Sequence, residues 1–221
     1  MKYDDSGREN DIFKINLSFY EKLVDLDLKY IYTLPIEYKY KKLVQINRFI
    51  ELIGNKETRE IDITKFLSRN ENKFILTMGF LSKEIYPELA CKWQSEDIKD
   101  IRPDFFVLKP NNYADIVEFK LPDLKSKSIV GKHNREVFSA ELQSYIGQTR
   151  KYKTYFEDPN NRKWFEEKYG FKVLKPKRIL VVGRRWNFSD DVWKEIQADY
   201  SDFEIITYDD LVDGVTAQFY M

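Results

Sequence analysis

Three charged side chains have the types and the spacing of a hydrolytic site. Asp104 precedes a short apolar run, and Glu118 and Lys120 end a second apolar run, with Glu118 14 positions after Asp104. Two carboxylates held close together repel each other, and a divalent cation such as Mg²⁺, which prefers oxygen ligands, removes that conflict. A lysine beside the metal can position the attacking water. The three residues therefore suit metal-assisted hydrolysis of a phosphodiester.

A β-hairpin is the element that would bring these residues together. Residues 105–108 and 114–119 are rich in aromatic and β-branched side chains, and the turn between them contains Pro and Asn, which is typical of two paired strands. Because alternate side chains share a face of a strand, we expect Glu118 and Lys120 to point one way while their neighbours point into a core. Asp104, at the head of the first strand, can then meet Glu118 across the ladder. The alternative is a surface strand with an ordinary Glu–Lys face.

The motifs in this stretch resemble those of the PD-(D/E)XK nuclease superfamily. Pro103-Asp104 matches the PD, and Glu118-Phe119-Lys120 matches the EXK. Gln148 and Tyr152 match the QxxxY motif that follows the EXK in exonuclease-like branches. They lie four residues apart, so the two side chains are neighbours on a helix. An amide there can orient a phosphate or a water, whereas the alternative is a solvated Gln beside a core Tyr.

The remaining elements predict the sheet and its helices. Helical spacing of apolar residues predicts four helices: one over 11–29, a second that ends near Gly54, a third over 58–69 and a fourth over 135–157. In the third helix we expect Thr58 to be the N-cap and Ile61, Phe66 and Leu67 to face the core. Strands are expected at 85–93, on a sheet edge because of Pro87, and at 178–182 and 203–207. A helix carrying Val192, Trp193 and Ile196, capped by Ser189 or Asp190, would separate the last two strands. The β-α-β-α order at the end predicts an α/β fold whose mixed central sheet is flanked by helices.

Composition sets the limits on function. The 221 residues are 43% hydrophobic and carry 37 basic and 37 acidic side chains. Basic residues concentrate in 120–153, with eight Lys/Arg against three Asp/Glu, and in 171–188, with six Lys/Arg and no acid. We interpret both stretches as surfaces that face nucleic-acid phosphates, the alternative being solvated faces.

The rare residue types exclude several other sites. Cys91 is the only cysteine and His133 the only histidine, which excludes an internal disulfide, a thiolate metal cluster and a multi-histidine zinc site. The N-terminus has no apolar core of a signal peptide, and no apolar run approaches a membrane span. We expect a cytoplasmic protein without membrane contact.

From about Thr58 onward the chain resembles the Shedu family of antiphage nucleases. The matching segments are RPDFFVL, IVEFKLP, ELQSYIGQTRKYKTYFE, ILVVGRR and IITYDDL. The resemblance implies a PD-(D/E)XK restriction-endonuclease-like core, DNA cleavage, a divalent metal, a homo-oligomer (dimer or tetramer) and a role in antiphage defence. By position it transfers metal binding to Asp104 and Glu118, catalysis to Lys120 and a supporting role to Gln148.

These observations predict a helical N-terminal region, 1–56, for oligomerisation or partner contact, followed by a nuclease domain, 57–221. Asp104, Glu118 and the backbone carbonyl of Phe119 would hold Mg²⁺ or Mn²⁺. Glu60 is a further metal ligand candidate, because the superfamily often adds an acidic residue from a preceding helix. Acids in a first helical turn are also favoured by the helix dipole alone. The alternatives to a defence nuclease are a catalytically silent DNA-binding module on the same fold and a restriction or repair nuclease.

Overall fold

The protein is described by a computed structural model. The structure describes residues 2–3, 9–10, 22, 36–94, 99–133, 135–188 and 191–219. Its centre is a five-stranded sheet formed by β3 (Glu84–Pro87), β4 (Phe105–Leu108), β5 (Ala114–Phe119), β8 (Arg178–Val181) and β9 (Phe203–Ile206), in that order across the sheet. Two small antiparallel pairs lie outside it: β1 (Lys2–Tyr3) with β2 (Glu9–Asn10), and β6 (Ile129–Val130) with β7 (Val137–Phe138).

The sheet is mixed, as predicted from the order of the elements. β3, β4 and β5 pair antiparallel, whereas β5, β8 and β9 run parallel. β3 lies at the edge, as its proline predicted. This strand ends at Pro87, so the predicted continuation to Trp93 is wrong.

Seven helices within the described residues pack around the sheet. They are α1 (Ile36–Gly54), α2 (Glu60–Ser68), α3 (Lys73–Gly79), α4 (Ala140–Glu157), α5 (Pro159–Tyr169), α6 (Val192–Ala198) and α7 (Tyr208–Ala217). The cluster containing Val117 and Phe119 joins one sheet face to α1, α2, α3 and α7, and two further clusters join the opposite face to α4, α5 and α6. The α/β fold with helices on both faces is therefore confirmed.

The register of the β4–β5 hairpin brings the charged residues together. Phe105 pairs with Val117, so the next positions outward are Asp104 and Glu118. β5 is buried along nearly its whole length. Its odd-numbered residues Val117 and Phe119 enter one core, while Ile116 enters the opposite one. The predicted alternation thus holds, and Glu118 lies on the face that α4 covers.

Helix α2 differs from its prediction at both its start and its inner face. Arg59 is the N-cap, and its backbone N–H bonds Asp62 Oδ2 at 3.1 Å. The hydroxyl of Thr58 instead donates to Leu52 O at 2.7 Å, which ties it to the end of α1. Ile63 and Leu67 form the buried face, while Ile61 is exposed. The predicted cap and the predicted burial of Ile61 are therefore wrong.

Helix α4 begins five residues later than predicted. Val137 and Phe138 extend as β7 and pair with β6, so the helical phase starts only after Ser139, whose Oγ accepts from the N–H of Leu142. The periodic spacing of Phe138 fitted a helix although the residue is in a strand. A similar correction applies near the end of the chain, where Asp191 is the N-cap of α6; Ser189 and Asp190 lie outside the described residues.

The N-terminal region is only partly described. The predicted helix over 11–29 lies outside the described residues except at Lys22, which is helical. The second predicted helix is α1, and it ends at Gly54 as expected. Phe49 and Ile53 of α1 belong to the same hydrophobic cluster as Phe119 of the sheet. The predicted boundary after residue 56 stays a prediction.

Candidate functional site

Glu118 is the centre of a buried polar cluster. Its side chain is 4% exposed, and three donors reach its carboxylate: Lys120 Nζ at 3.1 Å and Gln148 Nε2 at 2.6 Å on Oε1, and Tyr152 OH at 2.9 Å on Oε2. A buried carboxylate is stabilised only when it is paired and hydrogen-bonded. The three donors meet that requirement and fix the orientation of the carboxylate.

Lys120 joins this cluster to α2. Its ammonium is 8% exposed and lies 3.1 Å from Glu118 Oε1 and 3.3 Å from Glu60 Oε2. Burial lowers the pKa of Lys120, but the charges of Glu118 and Glu60 outweigh burial and leave the pKa above its ordinary value. Lys120 therefore remains a protonated donor. The side chain of Glu60 is 42% exposed, so this part of the cluster opens toward solvent.

Asp104 completes the predicted set. Its Oδ2 accepts from the backbone N–H of Phe119 at 2.8 Å. Burial and the neighbouring charge of Glu118 raise the pKa of Asp104 to about 7, against the lowering effect of the Phe119 hydrogen bond and of Lys120. A carboxyl group whose pKa is raised by burial and a neighbouring negative charge would be stabilised in its ionised form by a further positive charge nearby.

Two elements explain why the residues meet. β5 places Glu118 and Lys120 on one face, as the hairpin prediction required. The four-residue spacing on α4 then directs Gln148 and Tyr152 to the same carboxylate. Tyr152 is buried and Gln148 is exposed, so the amide lies at the solvent side of the cluster. The structure thus brings together all five predicted site side chains, including Glu60.

Two aromatic residues at the site were not assigned there from the sequence. Tyr208, the first residue of α7, donates to the backbone carbonyl of Lys120 at 2.5 Å. Tyr208 lies 88 residues after Lys120, so no spacing pattern in the sequence relates the two residues. Lys120 Nζ also lies 5.6 Å from the ring centroid of Tyr145. Tyr145 shares a helix face with Gln148, three positions away, and this spacing could have indicated it.

The donor set is compatible with a hard cation. Carboxylate oxygens from Asp104 and Glu118 and a backbone carbonyl are the ligands that Mg²⁺ and Mn²⁺ prefer. Burial and then the negative charge of Glu118 raise the pKa of Asp104, and a cation bound between the carboxylates would favour the ionised form against both effects. Within the described ranges, no three His, Cys, Asp or Glu side chains form a ready metal-binding group. Glu60 bonds Lys120 in this arrangement.

The basic stretch 171–188 is largely paired with acids from later in the chain. Arg184 bonds Asp209 with a shortest distance of 2.6 Å, and Arg185 bonds Asp210 and Asp213 at 2.9 and 2.7 Å. These pairs weaken the interpretation of 171–188 as a phosphate-facing surface. No helix within the part of the chain described here is both long and apolar enough to cross a membrane.

Fold and site together define an α/β protein with a buried ionic cluster at the end of β5, the central strand of a mixed sheet. The family model for the C-terminal part of the Shedu protein SduA matches residues 57–212, more than half of the chain. The protein therefore belongs to the Shedu family, which confirms the resemblance found in the sequence. Family membership suggests a role in antiphage defence. No curated protein matches the chain at a significant level.

Proposed function

We propose that the protein is a metal-dependent deoxyribonuclease of the PD-(D/E)XK type that acts in antiphage defence. The observation that supports this most strongly is the convergence of Asp104, Glu118 and Lys120, from two strands, with Gln148 from α4. A DNA-binding module has no need of an acidic cluster facing phosphates. The carboxylates are therefore better explained by chemistry on the phosphodiester than by binding alone.

Each residue has a role that follows from its contacts. Lys120, which keeps its proton, donates to the attacking water or to a phosphate oxygen. Tyr152 and Gln148 hold the Glu118 carboxylate in one orientation, and the exposed Gln148 amide is also within reach of a substrate. The backbone N–H of Phe119 orients Asp104. Such fixed donors cost no reorganisation at the moment of reaction.

Mg²⁺ or Mn²⁺ would be held by Asp104, Glu118 and the carbonyl oxygen of Phe119, with Glu60 as a candidate fourth ligand. When bound, the metal stabilises negative charge on the phosphate and lowers the pKa of a bound water. The protein's own contribution is to keep the two carboxylates apart from bulk water and correctly oriented. We also propose DNA as the partner, a homo-oligomer as the assembly and the cytoplasm as the location.

The test is a plasmid nicking assay beside a DNA gel-shift titration. We expect cleavage with Mg²⁺ or Mn²⁺ and none in EDTA. Lys120→Ala should abolish cleavage but retain most DNA affinity, because one lost phosphate contact reduces the salt slope by only about one unit. Asp104→Asn should also abolish cleavage, and its metal-free DNA binding should not fall, because a negative charge is removed.

Lys177→Ala is the matched control. Lys177 pairs with Glu204 at 2.7 Å and contacts none of the cluster residues, so its loss should leave cleavage intact. Cleavage by Lys120→Ala at the wild-type rate would refute the assignment of β5 as the catalytic strand. Undiminished cleavage in excess chelator would refute the metal. DNA binding without cleavage under every metal condition would support the silent binding module instead.

A further inference from the structure

A second concave site lies away from the proposed catalytic cluster. It is a cavity of about 480 Å³ between the end of α4, the start of α5 and the loops before β8 and β9. These loops enter the parallel strands at their N-terminal ends, whereas Lys120 follows the C-terminal end of β5. The volume falls within the range of ligand pockets, which is roughly 300–1,000 Å³.

The lining combines an apolar wall with positive charge. Phe156, Leu174 and Pro176 form the wall, and Leu174, at 48% exposure, presents apolar surface to the cavity. The lining cations are Lys153, Arg162 and Lys175.

Only part of this positive charge is neutralised. Asp202, a lining residue, accepts from Lys153 at 2.8 Å and from Arg178 at 2.9 Å, so one carboxylate serves two cations. Across the described ranges, Arg162 and Lys175 form no ion pair, and Arg162 Nη1 donates to the carbonyls of Phe156 and Glu157 at 2.8 Å, which leaves the guanidinium charge without a carboxylate. Counting Glu157 as the second lining acid, three lining cations face two carboxylates.

Two further features at or beside this cavity are energetically unfavourable in the structure as it stands: a left-handed backbone and a buried donor without a partner. Lys175 has a left-handed backbone with φ of 46°, a conformation that costs free energy for a residue with a side chain and often occurs at functional sites. Behind the lining, Arg178 bonds Asp202 through Nη2, and its Nε atom is buried without a hydrogen-bond partner among the described residues. Unsatisfied buried donors in a native structure call for an explanation.

We propose that this cavity binds a phosphorylated small molecule of mononucleotide size. Its phosphate would contact Lys175 and Arg162, and its flat apolar body would cover Leu174 and Pro176. Phosphate groups pair with lysine and arginine through charge-assisted hydrogen bonds. An aromatic base is the kind of body that an exposed apolar wall stabilises.

A short relay joins this cavity to the catalytic cluster. Arg178 bonds Asp202 on the cavity side and Thr149 Oγ1 at 3.1 Å on α4. Thr149 is adjacent to Gln148, which holds Glu118. A phosphate that competes with Asp202 for Lys153 would therefore alter the bonds that position α4. Occupancy of the cavity is in this way coupled to the orientation of Glu118.

The test is isothermal titration calorimetry on the full chain in EDTA and without DNA, so that it does not depend on nuclease activity. The probes are dAMP, inorganic phosphate and a short single-stranded oligonucleotide. We expect saturable binding of dAMP, with phosphate at least about tenfold weaker because it lacks the apolar contact. Lys175→Glu should weaken dAMP binding about tenfold or more, the loss expected for a charged hydrogen bond.

Two controls separate the parts of the proposal. Lys65→Glu, the same charge reversal on the exposed face of α2, should bind dAMP like the wild type. Leu174→Ser should weaken dAMP but not phosphate. Amide hydrogen exchange in α4 should change when dAMP binds to the wild type and not when it is added to Lys175→Glu, and an unchanged pattern in the wild type would refute the coupling.

The remaining outcomes decide the ligand. Absence of saturable heat with dAMP up to the order of 10 mM, beyond a millimolar dissociation constant, would overturn the site. Equal affinity for phosphate and dAMP would overturn the role of the apolar wall. Oligonucleotide binding that is lost in Lys175→Glu, without binding of dAMP, would show that the phosphate belongs to a DNA strand and would overturn a small-molecule ligand.

Discussion

Lys120→Met tests the cluster through stability instead of activity. Methionine keeps the length of the side chain and removes its charge, which leaves Glu118 buried at 4% exposure beside Asp104. Removing one partner of a buried ion pair typically costs about 3–5 kcal/mol. The loss should lie near the lower end of that range, because Gln148 and Tyr152 still donate to Glu118. We expect this loss at pH 8 in metal-free protein.

The loss should depend on pH with a defined sign. The folded pKa of Asp104 is raised to about 7 from an ordinary 3.8. Between these values the folded state binds more protons than the unfolded state, so the free energy of unfolding falls as pH rises. The charge of Lys120 lowers the pKa of Asp104, and removing this charge makes the fall continue to higher pH. At pH 5, where Asp104 is protonated, the loss should be smaller than at pH 8 by the part that the Asp104 charge contributes, while the part due to the unpaired Glu118 remains.

The assay is urea denaturation in EDTA at pH 5 and pH 8. The variants are Lys120→Met, Glu118→Gln and the double variant, which form a double-mutant cycle, with Lys177→Met as the control for the loss of an exposed lysine. The double variant should recover part of the loss, because it contains no unpaired Glu118 charge. An equal loss at both pH values, or a loss below about 0.5 kcal/mol, would refute the reasoning, since a change of that size is ordinary for surface sites.

Three further predictions follow from single contacts. Gln148→Ala should leave the fold intact and slow cleavage, because a lost hydrogen bond to the reacting groups costs about 1–3 kcal/mol; its loss of stability should not exceed about 1.5–3 kcal/mol, the cost of its one hydrogen bond to the Glu118 carboxylate, and wild-type initial rates would contradict a role of Gln148 in the reaction. Tyr152→Phe keeps the ring and removes the bond to Glu118, so urea denaturation should show a loss of about 1.5–3 kcal/mol, and an unchanged midpoint would contradict that bond. A mass above the 26.6 kDa of one chain is expected by light scattering at micromolar concentration, because α1 exposes Val44 and Ile50; a monomer mass would contradict the homo-oligomer.

The sequence predicted the parts of the site that depend on local periodicity. The two-residue repeat of β5 placed Glu118 and Lys120 together, and the turn length set the register that puts Asp104 opposite Glu118. The four-residue spacing on α4 placed Tyr152 beside Gln148. Each of these relations is determined within a single element or hairpin, and such relations can be worked out from spacing alone.

Contacts that depend on tertiary packing were not predicted. Tyr208 reaches the Lys120 carbonyl because α7 packs against the sheet face that carries Phe119, and no spacing in the sequence relates the two. The cap of α2 was assigned to Thr58 by residue type, yet its hydroxyl is used by the end of α1. Residue preference for a cap is a weak guide when a neighbouring element offers the same hydroxyl a partner.

The distribution of charge along the sequence also does not show which charges are paired in the fold, and this matters for DNA binding. Residues 171–188 carry no acid in sequence, but four of their six cations pair with acids that follow within the next 25 residues: Asp202 just before β9, Glu204 on β9, and Asp209, Asp210 and Asp213 on α7. The positive charge of 171–188 is therefore largely neutralised by ion pairs within the fold. Lys125, Lys127 and Lys132, on the segment that leaves β5, are exposed and form no ion pair in the part of the chain described here. Because counterion release follows unpaired cations, replacing these three lysines should reduce the salt slope of DNA binding more than replacing any three lysines or arginines of 171–188.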